Sequence, residues 1–280
     1  MLFPALIFYT IFLIIPLFGT VAISFTDWSG ISFSTLKFTG IENFVEMFND
    51  RFFWVSLKNS FIFVFCCLIL QVGIALFFAI ILESGPLLSN LFRSIFFVPF
   101  VISLVVIGIL FNFILDPTLG IVDLVLNYFG IEGPRFGWLG TPDINLFVVI
   151  GIHIWRNFGF TMFLLIAGLQ AIPKEMQESA RIEGANSWQL STMITIPSIR
   201  EVIVVASVIT AIDAMRVFDL VYTLTGGGPF HSSETVVSYI YQLGLGGGRT
   251  QHRYATSIAL VLTLIIVLNS MLQFTFVKNK

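Results

Sequence analysis

Runs without a charged side chain alternate with short polar stretches along this chain, and the runs have the length of membrane-crossing helices. Uninterrupted apolar segments occupy 2–25, 59–82 (between Lys58 and Glu83), 94–115 (between Arg93 and Asp116) and 254–277 (between Arg253 and Lys278). A hydrocarbon core of about 30 Å takes about 20 helical residues to cross, so each run predicts one span. Two further apolar segments are interrupted: 144–169 carries His153 and Arg156, and 202–224 carries Asp213, Arg216 and Asp219. No alternating barrel pattern occurs, and a continuous helix satisfies its own backbone in lipid. The expected fold is all-α and integral to the membrane: one domain over 1–280 with six transmembrane helices.

The run at 2–25 is longer than the apolar core of a signal peptide, about 7–15 residues, so an uncleaved anchor is expected. Pro4 and Pro16 within it are tolerable where neighbouring helices satisfy the freed carbonyls. With six spans, the long connections 26–58, 116–143 and 225–253 share one side. They are rich in glycine, proline and aromatics and read as ordered loops. The last of them has room for a short interfacial helix over 235–241, capped by Ser232 or Ser233.

The opposite side is short-looped except for 170–201. There Pro173 opens a helix whose early turns carry Glu175 and Glu178, where the helix dipole favours negative charge. Gly184 is placed to end it in a left-handed conformation. Asn186 or Ser187 then caps a second helix over 187–194, with Trp188, Leu190 and Met193 as apolar contacts, and Pro197 ends it. A docking lever for a soluble partner and an interfacial hairpin would share this pattern.

Composition agrees with the spans: 57% of residues are hydrophobic and 11% charged, against about 25% charged in ordinary soluble domains. Mean hydropathy is +0.96. Charge orients the chain only weakly. With the termini inside, Arg93, Lys174, Arg181, Arg200, Lys278 and Lys280 lie inside and Lys37, Arg51, Lys58, Arg135, Arg249 and Arg253 outside, six against six; only their greater density inside favours this orientation. Cys66 and Cys67 are adjacent in one span and unsuited to a structural disulfide or a metal site. No G-x-x-x-x-G-K-[ST] loop, HExxH, GxSxG or CxxC occurs, and the glycine-rich 246–249 lacks the phosphate-binding lysine, so neither ATP hydrolysis nor another enzymatic activity is expected.

The spacing of Glu178, Ala180 and Gly184, with Ala185 following and Ile194 and Pro197 closing the segment, resembles the coupling-loop signature of ABC importer permeases. The phrases GLQAIP (168–173), VFDLVYTLTGGGP (217–229) and SFTDW (24–28) resemble the sugar branch, akin to maltose and glycerol-phosphate permeases. Ser179, Glu183, Ser191 and Ile196 depart from the usual alanine, aspartate, phenylalanine and leucine. The resemblance implies that 170–201 is cytoplasmic and sits in a groove of a separate ATPase subunit. It also implies a bacterial inner-membrane location with both termini cytoplasmic. The implied partners are two ATPase copies that bind the ATP, a second homologous permease, an extracytoplasmic substrate-binding protein and membrane lipid. Nucleic acid, metal and a cofactor of the chain's own are not expected.

His153, Arg156, Asn157 and Phe160 recur at i, i+3, i+4 and i+7 on one helix face, and Thr210 and Asp213 share a face of the next. Ionisable groups in membranes usually face a wet cavity or each other. These six are the candidate substrate path, since an aromatic with polar donors and acceptors suits a sugar. Asp213, Arg216 and Asp219 are alternatively spaced to pair along one helix, and Arg156 finds a candidate counter-charge in Asp213. Two other function classes remain: an ion-coupled transporter relaying protons through Asp213 or His153, and a scaffold subunit with no path.

Overall fold

The computed structural model describes residues 3–28, 30, 36–83, 85, 88–246 and 251–278. Leu2, Arg249, Lys280 and most of the glycine-rich 246–249 lie outside the described residues. Those described are helical apart from loops and one isolated antiparallel bridge, Thr26 with Phe38.

In chain order, α1 (Phe3–Ser24) contains a π-helical turn, Thr10–Ile14, just ahead of Pro16. A widened turn relieves the clash and the missing donor that proline brings to a helix interior. Helix α2 (Glu42–Asn49) leads into α3 (Arg51–Glu83), which starts eight residues earlier than charge boundaries alone indicate. Asp50 is the reason: its carboxylate caps the helix by accepting from the Phe52 amide at 2.8 Å. A second π turn, Cys67–Gln71, follows within α3.

The run 94–115 is not one straight span. Helix α4 (Ser89–Val101) and α5 (Leu104–Ile114) meet at 96°. Pro99 has no amide proton to donate, and Ile102 and Ser103 are extended, with ψ of 138° and 137°. Helix α6 (Ile121–Tyr128) lies in the following loop, and α7 (Asn145–Gln170) matches its expected bounds to one residue at each end. It is the central helix, packing against α3 and α4.

Next come α8 (Lys174–Ile182) and α9 (Ser187–Ser198). Gly184 has φ of +88°, with the Gly184 amide donating to Arg181 O at 3.1 Å and that of Ala185 to Ala180 O at 3.0 Å. This double closure satisfies carbonyls that a helix end leaves orphaned. Pro173 stands just before the helix and not at its first position. Asn186 is the cap of α9, paired reciprocally with Gln189. Pro197 lies within the last turn of α9 and does not end it; the 70° bend into α10 (Arg200–Met215) falls at Ile199.

The expected span 202–224 is likewise divided. Helix α10 stops at Met215, and α11 (Asp219–Leu224) restarts after Phe218, whose φ and ψ are −135° and −61°. Asp213, Arg216 and Asp219 therefore do not form a ladder along one helix. Helix α12 (Val236–Leu245) is capped by Thr235 with Ser238, not by Ser232 or Ser233, and α13 (His252–Lys278) closes the chain. Among the described residues four helices, Phe3–Ser24, Arg51–Glu83, Asn145–Gln170 and His252–Gln273, are individually long and apolar enough to cross a membrane, and two bent pairs, α4 with α5 and α9 with α10, bring the possible number to six.

Two apolar cores result. One joins Phe53, Phe63, Ile107, Val149, Met215, Leu220, Tyr239 and Ile258; the other joins Ala75, Ala79, Met162, Leu165, Ile199 and Ala206 near the α8–α9 pair. Helix α1 is mostly uncovered and is fastened at its end, where Asn43 and Ser257 donate to Ser24 O at 2.9 and 3.0 Å.

Candidate functional site

Arg156 illustrates how a half-buried cation within an apolar helix is accommodated. Its guanidinium donates to Phe100 O at 2.9 Å, to Ile102 O at 3.3 Å and to Asn157 Oδ1 at 2.8 Å, and lies 4.9 Å from the Phe100 ring centroid. The two carbonyls belong to the end of α4, where a helix presents unsatisfied oxygens and negative dipole. Arg156 thus braces the broken helix; its close partners are these oxygens rather than Asp213. Phe160 stacks on Phe100 at 4.6 Å, and Asn157 returns a bond to His153 O at 3.0 Å. Three of the four residues on the expected face are engaged in this brace.

His153 faces elsewhere. It is buried, packed edge-on against Phe63 at 5.0 Å, and its Nε2 stands 3.4 Å from Asp213 Oδ2, longer than a hydrogen bond. Neither ring nitrogen has a hydrogen-bond partner among the described residues. Both residues line a cleft of about 460 Å³ with Leu104, Arg216, Phe218 and Asp219. The breaks in α4–α5 and α10–α11 meet at this cleft, so helix ends and charged side chains converge where continuous helices would present packing surface. Thr210 lies outside it: Gln71 donates to Thr161 Oγ1 at 2.9 Å and approaches Thr210 Oγ1 at 3.5 Å. Of the six expected path residues, His153 and Asp213 line the cleft. Arg216, Phe218 and Asp219 were legible only as charges and an aromatic in one span, because their grouping requires the break.

The loop before α12 is stapled down by buried amides. Asn59 Nδ2 reaches the carbonyls of His231, Ser232 and Glu234, and Asn145 Nδ2 reaches Gly228 O at 2.8 Å. Thr235 donates to Val217 O at 3.0 Å, satisfying a carbonyl that the α10–α11 break leaves free. Asp50 accepts from the hydroxyls of Tyr239 and Tyr254, the latter at 2.6 Å.

Glu234 is fully buried against His231. Burial raises its carboxyl above the ordinary value, with Asp50 adding to the rise and His231 opposing it. A raised acid is bound to its proton more tightly in the folded state, so its contribution is most favourable at low pH and is lost as pH rises through the raised value. Glu234→Gln is expected to flatten the loss of thermal stability as pH rises above the ordinary carboxylate range, measured on the purified protein in detergent; an unchanged pH slope would remove Glu234 as its source.

The α8–α9 pair presents the other candidate surface. Ala180 is buried, Ala185 and Ile194 are half-buried, and Glu178, Gly184 and Pro197 are exposed. The pair touches itself through α8 and the π turn Leu190–Thr195.

Comparison with known proteins gives consistent matches. Residues 71–278 match the family model described as "Binding-protein-dependent transport system inner membrane component". The chain is 36% identical to the probable ABC transporter permease protein YurN of Bacillus subtilis, covering 99% of this chain and 94% of that one. It is 34% identical to the lactose transport system permease protein LacF of Rhizobium radiobacter, over 99% and 92%. Among solved structures, a bacterial alginate ABC transporter in complex with alginate pentasaccharide-bound periplasmic protein aligns with a TM-score of 0.84 and 25% identity over 98% of this chain and 91% of the matched one.

Proposed function

Since the chain belongs to the family of binding-protein-dependent transport system inner membrane components, and is the permease and not the ATPase of an ABC importer, we propose that its substrate is a sugar or sugar derivative. The names of relatives carry this reading: lactose for one, trehalose and maltose for the permease MalF of Thermococcus litoralis, which is 33% identical over 82% of this chain. A binding protein delivers the sugar to the outer loops. A second homologous permease completes the path, two ATPase copies bind the ATP, and all six apolar segments, straight or bent, cross the bacterial inner membrane with both termini in the cytoplasm.

The α8–α9 pair, with Glu178, Ala180, Gly184, Ala185, Ile194 and Pro197, is the coupling element that docks on the ATPase. Closure of the ATPases moves it as a unit, and the attached α7 and α10 carry the motion to the cleft by alternating access. His153 and Asp213 contact the sugar. Arg156, Asn157 and Phe160 hold the broken α4–α5 pair in place, and Thr210 supports the path from behind.

Reconstitution decides between classes. ATP-driven sugar uptake is expected in vesicles holding this chain with its partner permease, ATPase and binding protein, and none in vesicles holding this chain alone. Uptake by the chain alone under a proton gradient would establish an ion-coupled transporter instead.

Gly184 tests the coupling element. A Cβ added there meets nothing within 4 Å, so only its φ of +88° resists substitution. Gly184→Val imposes about 1–2 kcal/mol of strain and is expected to lower ATPase co-purification and uptake while membrane insertion stays normal. Normal co-purification and normal uptake would refute the hinge role.

A further inference from the structure

Side chains of both charges and the ring of Phe218 line the cleft. Asp213, Arg216 and Asp219 line it and are exposed. Arg216 and Asp219 take part in none of the ion pairs found among the described residues. Arg156, the other nearby cation, points its guanidinium at the α4 carbonyls, so Arg216 is the cation the cleft presents. At the cleft wall His153 is 2% exposed with both ring nitrogens unpartnered. A buried polar ring in that state is costly unless a ligand or water supplies the missing bond. Phe218 lines the same space and is held by Tyr222 and Tyr241, at centroid distances of 5.4 and 4.8 Å.

We propose that this cleft is a subsite for an uncharged sugar ring and discriminates against uronic acids. Carboxylates only accept hydrogen bonds and a guanidinium only donates, whereas each sugar hydroxyl does both. Asp213 and Asp219 accept from ring hydroxyls, Arg216 donates to them, His153 Nε2 completes the set, and Phe218 covers the apolar ring face. A uronate brings a third carboxylate beside Asp213 and Asp219, with Arg216 the arginine that lines the cleft and Arg156 set back from it on the α4 carbonyls, a repulsive element of the kind that sets specificity. The inference rests on the sugar-importer reading and deepens it.

The test uses the complete transporter in proteoliposomes for uptake. The purified permease assembly without binding protein serves for direct binding, read as thermal protection by maltose or by digalacturonate. Maltose is expected to protect the wild type and digalacturonate is not. Loss of one charged hydrogen-bonding group in Asp219→Asn should weaken maltose protection about tenfold and narrow the preference over digalacturonate. Phe218→Ala should weaken maltose protection and Phe218→Tyr restore it, with the yield of assembled complex followed throughout. Equal protection by both probes, no protection by maltose while uptake proceeds, or a preference unmoved by Asp219→Asn would overturn the subsite alone. Absence of ATP-driven uptake of any saccharide would overturn the importer reading, and the subsite with it.

Discussion

Glu178→Ala is expected to cut sugar uptake per ATP hydrolysed by at least about tenfold, with the amount of permease in the membrane unchanged. Glu178 is exposed on α8, two residues before the buried Ala180, and its side chain makes no hydrogen bond or ion pair among the described residues. An ion pair left in solvent at the ATPase joint would contribute about 0–1 kcal/mol. Removing one partner of a buried pair costs about 3–5 kcal/mol, and tenfold requires only about 1.4 kcal/mol. A buried joint therefore predicts uncoupling and a solvated one predicts little change. ATP hydrolysis and uptake measured together in proteoliposomes report the ratio, and an unaltered ratio would take Glu178 out of the joint.

A larger structural effect is expected at Gly159. A Cβ there would stand 1.9 Å from Phe96 O, a backbone atom of α4 that no rotamer change can move. Gly159→Val must separate α7 from α4, and overpacking of this kind costs about 1–3 kcal/mol, occasionally more. Separation would also draw the Phe100 and Ile102 carbonyls away from Arg156, leaving it with Asn157 Oδ1 alone of its hydrogen-bond partners. The expected outcome is a marked loss of assembled protein and of thermal stability in detergent. Gly151→Ala on the same helix is the control, because nothing lies within 4 Å of its added Cβ, and alanine favours the helix by about 1 kcal/mol. Equal stability of the two variants would show that close approach at Gly159 does not hold the pair together.

Helix α7 was legible almost to the residue because its signals are local: a long apolar run with turn residues before it and Pro173 after it. The α8–α9 pair was legible for the same reason, since Gly184 and Asn186 act on backbone groups within a few residues. Pro197 misled because a proline in the final turn of a helix does not itself stop it, and the bend falls at Ile199. The early start of α3 was missed because Arg51 reads as a loop charge, while Asp50 acts as a cap.

Hydropathy, charge spacing and local capping sufficed for an all-helical chain with membrane-length apolar segments and a polar helix pair between two of them. The cleft was beyond their reach. Residues 94–115 read as one continuous apolar run and 202–224 as one span interrupted only by charged side chains, and at each break the freed backbone groups are satisfied by residues distant in sequence. Arg156 holds the end of α4, and Thr235 satisfies the carbonyl of Val217 between α10 and α11. A break in an apolar helix exposes backbone groups that must find partners. Those partners come from residues distant in sequence, so side-chain pairing across the fold determines how the bends are held and which charges face the cleft.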